Sequence, residues 1–193
     1  DPYLVVNNGR LFWIQDAYTT SSYFPYSQRH NGINYIRNSV KILVDAYEGS
    51  VDFFVVDEED PILNIYRSIF PTLFQPLDAL PEGLEYHFRY PQDMFEVQLE
   101  IYNRYHMQNP QIFYNQEDLW TRPIETYAGQ RMLMEPYYVL GRLPGESDLD
   151  FMLISPATPE NRSNMIGWLA AKSDPANYGE LVAYRLPKDR LIY

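Results

Sequence analysis

Asp45 and Asp52 flank the segment Tyr47-Glu48-Gly49-Ser50, a turn in which Gly49 can take the left-handed conformation. With Val40 to Ala46 and Val51 to Val56 as the arms of a hairpin, the two carboxylates can pair across strands on one face. There they could hold a cation, or act as acid and base at a glycosidic bond. Two outward-facing strand aspartates are the plainer alternative. Asp57, Glu58, Glu59 and Asp60 form a second acidic group, but they lack the alternating spacing of a calcium loop, and Asp60 is better used as a helix cap. Asp16, with the tyrosine Tyr18 close by, is a further carboxylate and a candidate for ligand or partner contact.

The aromatic residues are the most distinctive positive feature, with 18 Tyr against 10 Phe and 3 Trp. Tyr18, Tyr23, Phe24 and Tyr26 fall in Tyr18 to Asn31, a stretch with no sustained period of 2 or 3.6, which reads as a loop. Tyr joins a broad apolar face to a polar tip, so Tyr18, Tyr23 and Tyr26 are candidates for partner or ligand contact, the alternative being half-buried sheet positions. His30, between Arg29 and Asn31, is the histidine best placed to join them. His87 and His106 stand 19 positions apart, which is no metal-ligand spacing, and His106 suits capping or packing at a helix C-terminus.

Several chemistries lack their residues. Zero Cys removes disulfides, thiolate metal sites and cysteine nucleophiles. The phosphate-cradling glycine loops, the G-x-S-x-G elbow, H-E-x-x-H and the S-x-x-K spacing are all absent. No metal and no cofactor is expected from these motifs, although catalytic sets without a local motif escape such a search. A net charge of −11 over 193 residues repels phosphate backbones and anionic lipid heads, so a nucleic-acid partner is not expected. The 12 Arg outnumber the 3 Lys, which suits pairing with the chain's own carboxylates.

The elements that must position these residues are mostly hairpins. Asn8-Gly9 turns Tyr3 to Val6 back onto Arg10 to Gln15. Pro144-Gly145-Glu146-Ser147 joins Tyr137 to Leu143 with Leu149 to Ile154, and Pro187 to Arg190 joins Leu181 to Leu186 with a strand beginning at Leu191. Asp60-Pro61 opens a helix with Ile62, Ile65, Tyr66, Ile69 and Phe70 on one face. Pro91 to Met107 is a longer helix with Phe95, Leu99, Tyr102 and His106 in line. A short helix is expected after Asn115, a loop over Pro123 to Glu135, and a last helix from Thr158-Pro159 to about Ser173. The expected fold is one α+β domain over 1–193, an antiparallel sheet built from hairpins with three or four helices packed on it.

Long blocks carry a resemblance. Asn8 to Thr20, Tyr23 to Ser27, Ile33 to Lys41, Asp57 to Pro61, Arg89-Tyr90-Pro91, Glu117 to Trp120, Arg142 to Glu146, Asn164 to Ile166 and Trp168 to Ala171 resemble uncharacterised protein family 0182, a set of large bacterial membrane proteins. The resemblance implies a parent with several transmembrane helices followed by a large extracytoplasmic part. It also implies that this chain is a fragment excised from that part, and so linked to the cell membrane through segments it does not contain. The family carries no established activity, so no catalytic residue follows from it. The combined expectation is a non-enzymatic module that binds an envelope component, a protein partner or another ligand. The alternative is an envelope hydrolase acting on glycans through Asp16, Asp45 or Asp52.

Overall fold

Asn8 and Gly9 have φ of 49° and 77°, the left-handed pair that a two-residue hairpin turn demands. They join β1 (Tyr3–Asn7) to β2 (Arg10–Ser21), in register from Asn7 opposite Arg10 to Tyr3 opposite Ile14. The computed structural model describes residues 2–160 and 162–187. The chain divides into two compact units, Asp1–Met94 and Phe95–Tyr193, each described by itself.

In the first unit, β3 (Tyr35–Asp45) and β4 (Val51–Val55) continue the sheet in antiparallel fashion, as the Gly49 turn predicts. The last strand, β5 (Phe74–Pro76), pairs with β4 in parallel, giving the order β1-β2-β3-β4-β5. Between these two strands runs α1 (Pro61–Ile69), with Pro61 at its start and Asp60 as the cap. The helix enters the core through Leu63, which packs with Val40 and Val55. The sequence-derived apolar face is therefore not the buried one: Ile65, Tyr66, Ile69 and Phe70 are exposed. Periodicity marks an apolar stripe but does not say what the stripe meets.

The second unit takes up most of α2 (Gln92–Tyr105), followed by α3 (Pro110–Asn115). Phe95 and Leu99 of α2, and His106 just beyond it, are buried as their spacing predicts. Its strands are β6 (Trp120–Thr121), β7 (Ile124–Tyr127), β8 (Gln130–Leu133), β9 (Tyr137–Gly141), β10 (Asp150–Pro159), β11 (Gly167–Lys172) and β12 (Leu181–Arg185). The main sheet runs β12-β11-β10-β6, with β9 also on β10, and β7 and β8 form a separate ribbon. Leu143, Met152 and Ala170 form a buried core cluster on this sheet.

The α+β class holds, with sheets that are mostly antiparallel and include one parallel pair. Three local readings are corrected. Thr158 to Ser173 is not a helix: β10 runs to Pro159, and β11 carries Trp168, Leu169, Ala170 and Ala171 as a strand with a neighbour on each side. Tertiary pairing overrides the helix preference of Leu-Ala-Ala. The short helix precedes Asn115 rather than following it, because Asn109 is the cap and accepts from the amides of Gln111 and Ile112. Pro123 to Glu135 holds a hairpin turned at Ala128-Gly129, whose wholly exposed strands show no alternation to read. The expected turn after Pro187 and the strand at Leu191 lie outside the described residues. Among the described residues no helix is long and apolar enough to cross a membrane.

Candidate functional site

The ring-rich segment is partly strand. Tyr18, Thr19, Thr20 and Ser21 belong to β2, and the loop occupies 22–34. The register runs Ala17 opposite Val40, then Thr19 opposite Arg37, so Asn38 and Ser39 together face the single residue Tyr18. This is a β-bulge, and it coincides with the place where side chains leave sheet periodicity. Thr19 and Ser39 both donate their hydroxyls to Oδ2 of Asp60. Tyr35 donates to Oδ1 at 2.7 Å, as does the amide of Ile62 at 2.9 Å. Asp60 is fully buried. Burial pushes its carboxyl up, but the bonds from Ser39, Thr19, Tyr35 and Ile62 outweigh burial and hold it below the ordinary carboxylate range. With both oxygens doubly occupied, Asp60 fastens α1 to β2 and β3.

The loop is fastened at the same end of these strands. Asn34 accepts from the Phe24 amide at 2.9 Å and donates to the carbonyls of Phe24 and Ser27 at 2.7 and 3.2 Å. Phe24 stacks on Tyr35 with ring centroids 5.1 Å apart. Arg29 donates to the Ser22 carbonyl, and His30 and Ile33 exchange backbone bonds. Two tyrosines are left in solvent: Tyr23 is 87% exposed and Tyr26 is fully exposed, with Tyr26 at a φ of 60°. Tyr18 instead lines a pocket of about 290 Å³ with Thr19, Thr20, Ile62, Tyr66 and Phe74. Past Tyr66, the exposed Ile65, Ile69 and Phe70 extend an apolar helix surface.

The carboxylates proposed for chemistry have separate internal partners. Asp16 accepts from Nζ of the buried Lys41, which also donates to the Arg89 carbonyl at 2.9 Å and has Phe88 5.3 Å away. Burial lowers the Lys41 ammonium and Asp16 opposes that shift. Asp45 accepts from Arg10 at 2.7 Å and from the amides of Tyr47 and Glu48, and is held below its usual range first by Arg10 and then by Tyr47. Asp52 sits opposite Leu43, on the face it shares with Asp45, and accepts from Gln75 at 2.7 Å. His30 lies beside Asn31, with its Nε2 3.0 Å from the Asn31 amide nitrogen. Among the described residues no group of three or more His, Asp or Glu could hold a metal ion.

The model of the Uncharacterised protein family (UPF0182) matches residues 1–193. The chain belongs to this family. A UPF0182 protein of Salinibacter ruber is 61% identical over 200 residues, and one of Pelotomaculum thermopropionicum is 52% identical over 194. A third, from Bradyrhizobium diazoefficiens, is 51% identical over 195. Each alignment takes in the whole of this chain but only 21% of the relative, so the chain spans about a fifth of the length of these proteins. No solved structure matches the chain.

Sequence reading missed two polar clusters of this UPF0182 chain, both in its second unit. Lys172, nearly buried, meets Glu146 at 2.8 Å, Glu180 at 3.2 Å and Asp150 at 3.5 Å, and its ammonium is pushed up first by Glu146. His106 packs on Trp120 with centroids 4.1 Å apart and has Nδ1 3.0 Å from the Tyr102 carbonyl. Arg185 donates to the His106 carbonyl at 3.0 Å and lies over Trp120. The packing role expected for His106 is thus what the fold uses. Tyr102 is a neighbour at helical spacing, but Trp120 and Arg185 come from strands later in the chain and leave no local spacing to read.

Proposed function

We propose that this chain is an interaction module of a larger bacterial membrane protein, lies outside the cytoplasm, and works by binding an envelope component or protein partner rather than by catalysis. The observation that carries this reading is the pinned loop: Asn34 and the Phe24–Tyr35 stack fix its backbone while Tyr23 and Tyr26 stay in solvent. Tyrosines on a fixed backbone present large amphipathic contact area at a reduced ordering cost, which is what a binding surface needs. The exposed apolar residues of α1 add to the same reading.

The rival is an envelope hydrolase acting on glycans through paired carboxylates. It would require Asp45 to leave Arg10 and Asp52 to leave Gln75 before either could act. Glycan and ester turnover by the purified chain that disappears in Asp45→Asn would establish the rival and overturn the binding reading. Location is tested by cysteine labelling, with the unsubstituted full-length parent as the background, since this chain itself has no Cys. Tyr26→Cys in the full-length parent should react with a membrane-impermeant maleimide in intact cells; labelling only after lysis would contradict the extracytoplasmic placement.

A further inference from the structure

The sheet of the second unit carries a pocket that its core does not fill. An open groove of about 300 Å³ is lined by side chains of β9, β10 and β11, the turn after β9 and Met165, at the lower end of the range for small-molecule sites. Leu143 and Met152 are its buried members, Val139, Ile154 and Trp168 are intermediate, and Tyr137 and Met165 are exposed. Trp168 is held by a stack on Tyr184, with centroids 4.4 Å apart and planes 16° from parallel, and Tyr184 donates to the Pro144 carbonyl at 3.2 Å. The aromatic wall is therefore braced.

One charged side chain lines this otherwise apolar pocket. Arg142 is exposed and has no carboxylate partner among the described residues, in a chain with 26 acidic residues against 15 basic ones. Elsewhere Arg10 is paired with Asp45, Arg37 with Asp57, and Arg122 with Glu96. A planar guanidinium favours a carboxylate that can take two parallel hydrogen bonds, whereas the apolar lining offers a sugar ring few polar partners.

We propose that this pocket binds a single acyl chain ending in a carboxylate, with the hydrocarbon against Met152, Ile154 and Trp168 and the head on Arg142. The proposal is independent of the tyrosine loop, so either can fail alone. The probe is dodecanoate, titrated into the full chain by calorimetry, with dodecanol and dodecyl phosphate as comparison arms. Dodecanoate should bind about tenfold or more tightly than dodecanol, and Arg142→Gln should remove that difference while leaving dodecanol unchanged. Dodecanoate brominated near its tail should quench tryptophan fluorescence, and Trp168→Phe should reduce the quenching. Equal affinity for acid and alcohol, an unaltered preference in Arg142→Gln, stronger binding of dodecyl phosphate, or displacement of dodecanoate by a soluble glycan would each overturn the proposal.

Discussion

Tyr35 donates its phenolic hydrogen to Oδ1 of Asp60 at 2.7 Å. Burial, and then this bond, push the Tyr35 phenol up to about 12 from its ordinary 10.0, while Asp60 lies below its ordinary 3.8. The two shifts bound the stable range from opposite sides. The Asp60 contribution is present above pH 3.8 and is lost as pH falls through the lower folded value. The Tyr35 contribution is present below pH 10 and is lost as pH rises from 10 through 12. Melting temperature followed from pH 2 to 12 should show both declines. Tyr35→Phe should cost about 1.5–3 kcal/mol at neutral pH, the usual worth of a hydrogen bond to a charged group, and should flatten the alkaline limb.

Lys41 and Asp16 form a buried ion pair between neighbouring strands. Removing one member strands the other charge. Lys41→Met or Asp16→Leu alone should destabilise by about 3–5 kcal/mol, whereas the two combined should cost far less or even stabilise. Chemical denaturation of the three variants measures this as a double-mutant cycle. Equal losses in the single and double variants would contradict it.

Gly167 faces the backbone across β11 and β12. A Cβ there would stand 2.5 Å from the Tyr184 carbonyl oxygen and 3.3 Å from the Trp120 ring. A carbonyl held in a strand cannot yield as a flexible side chain would, so Gly167→Ala should destabilise by about 1–3 kcal/mol. The loss should be read from thermal unfolding.

Lys172 holds three carboxylates together through one ammonium. Its folded value is raised above 10.5, so its contribution is complete below pH 10.5 and fades as pH rises beyond it. Lys172→Met should leave the buried Asp150 without this cation and lower the melting temperature at neutral pH, with the difference from wild type shrinking under alkaline conditions. A pH-independent difference would argue that packing, not charge, is what Lys172 supplies.

What was legible in the sequence follows the range of the interactions. The Asn8-Gly9 and Gly49 turns, the Asp60-Pro61 start of α1 and the buried line of Phe95, Leu99 and His106 all rest on contacts within a few residues, and they stand in the structure. The bulge at Asn38-Ser39 depends on how two long strands align, which no local spacing encodes. Met165, Ile166, Leu169 and Ala170 carry helix-like spacing, yet the last two lie in a strand between β10 and β12. Of the candidate site residues, Tyr23 and Tyr26 stand exposed, whereas Asp16 meets a lysine 25 positions away and Asp45 an arginine 35 away. Those partners emerge only once the strands are paired.

The pinned loop is proposed as a contact surface in the intact protein. A photo-cross-linking amino acid placed at position 23 or 26 of the full-length parent, in living cells, tests it most directly. A discrete adduct should form from these two sites and not from position 114, an exposed tyrosine on α3 in the second unit. An absence of adducts from 23 and 26, or the same adduct from 114, would contradict the account.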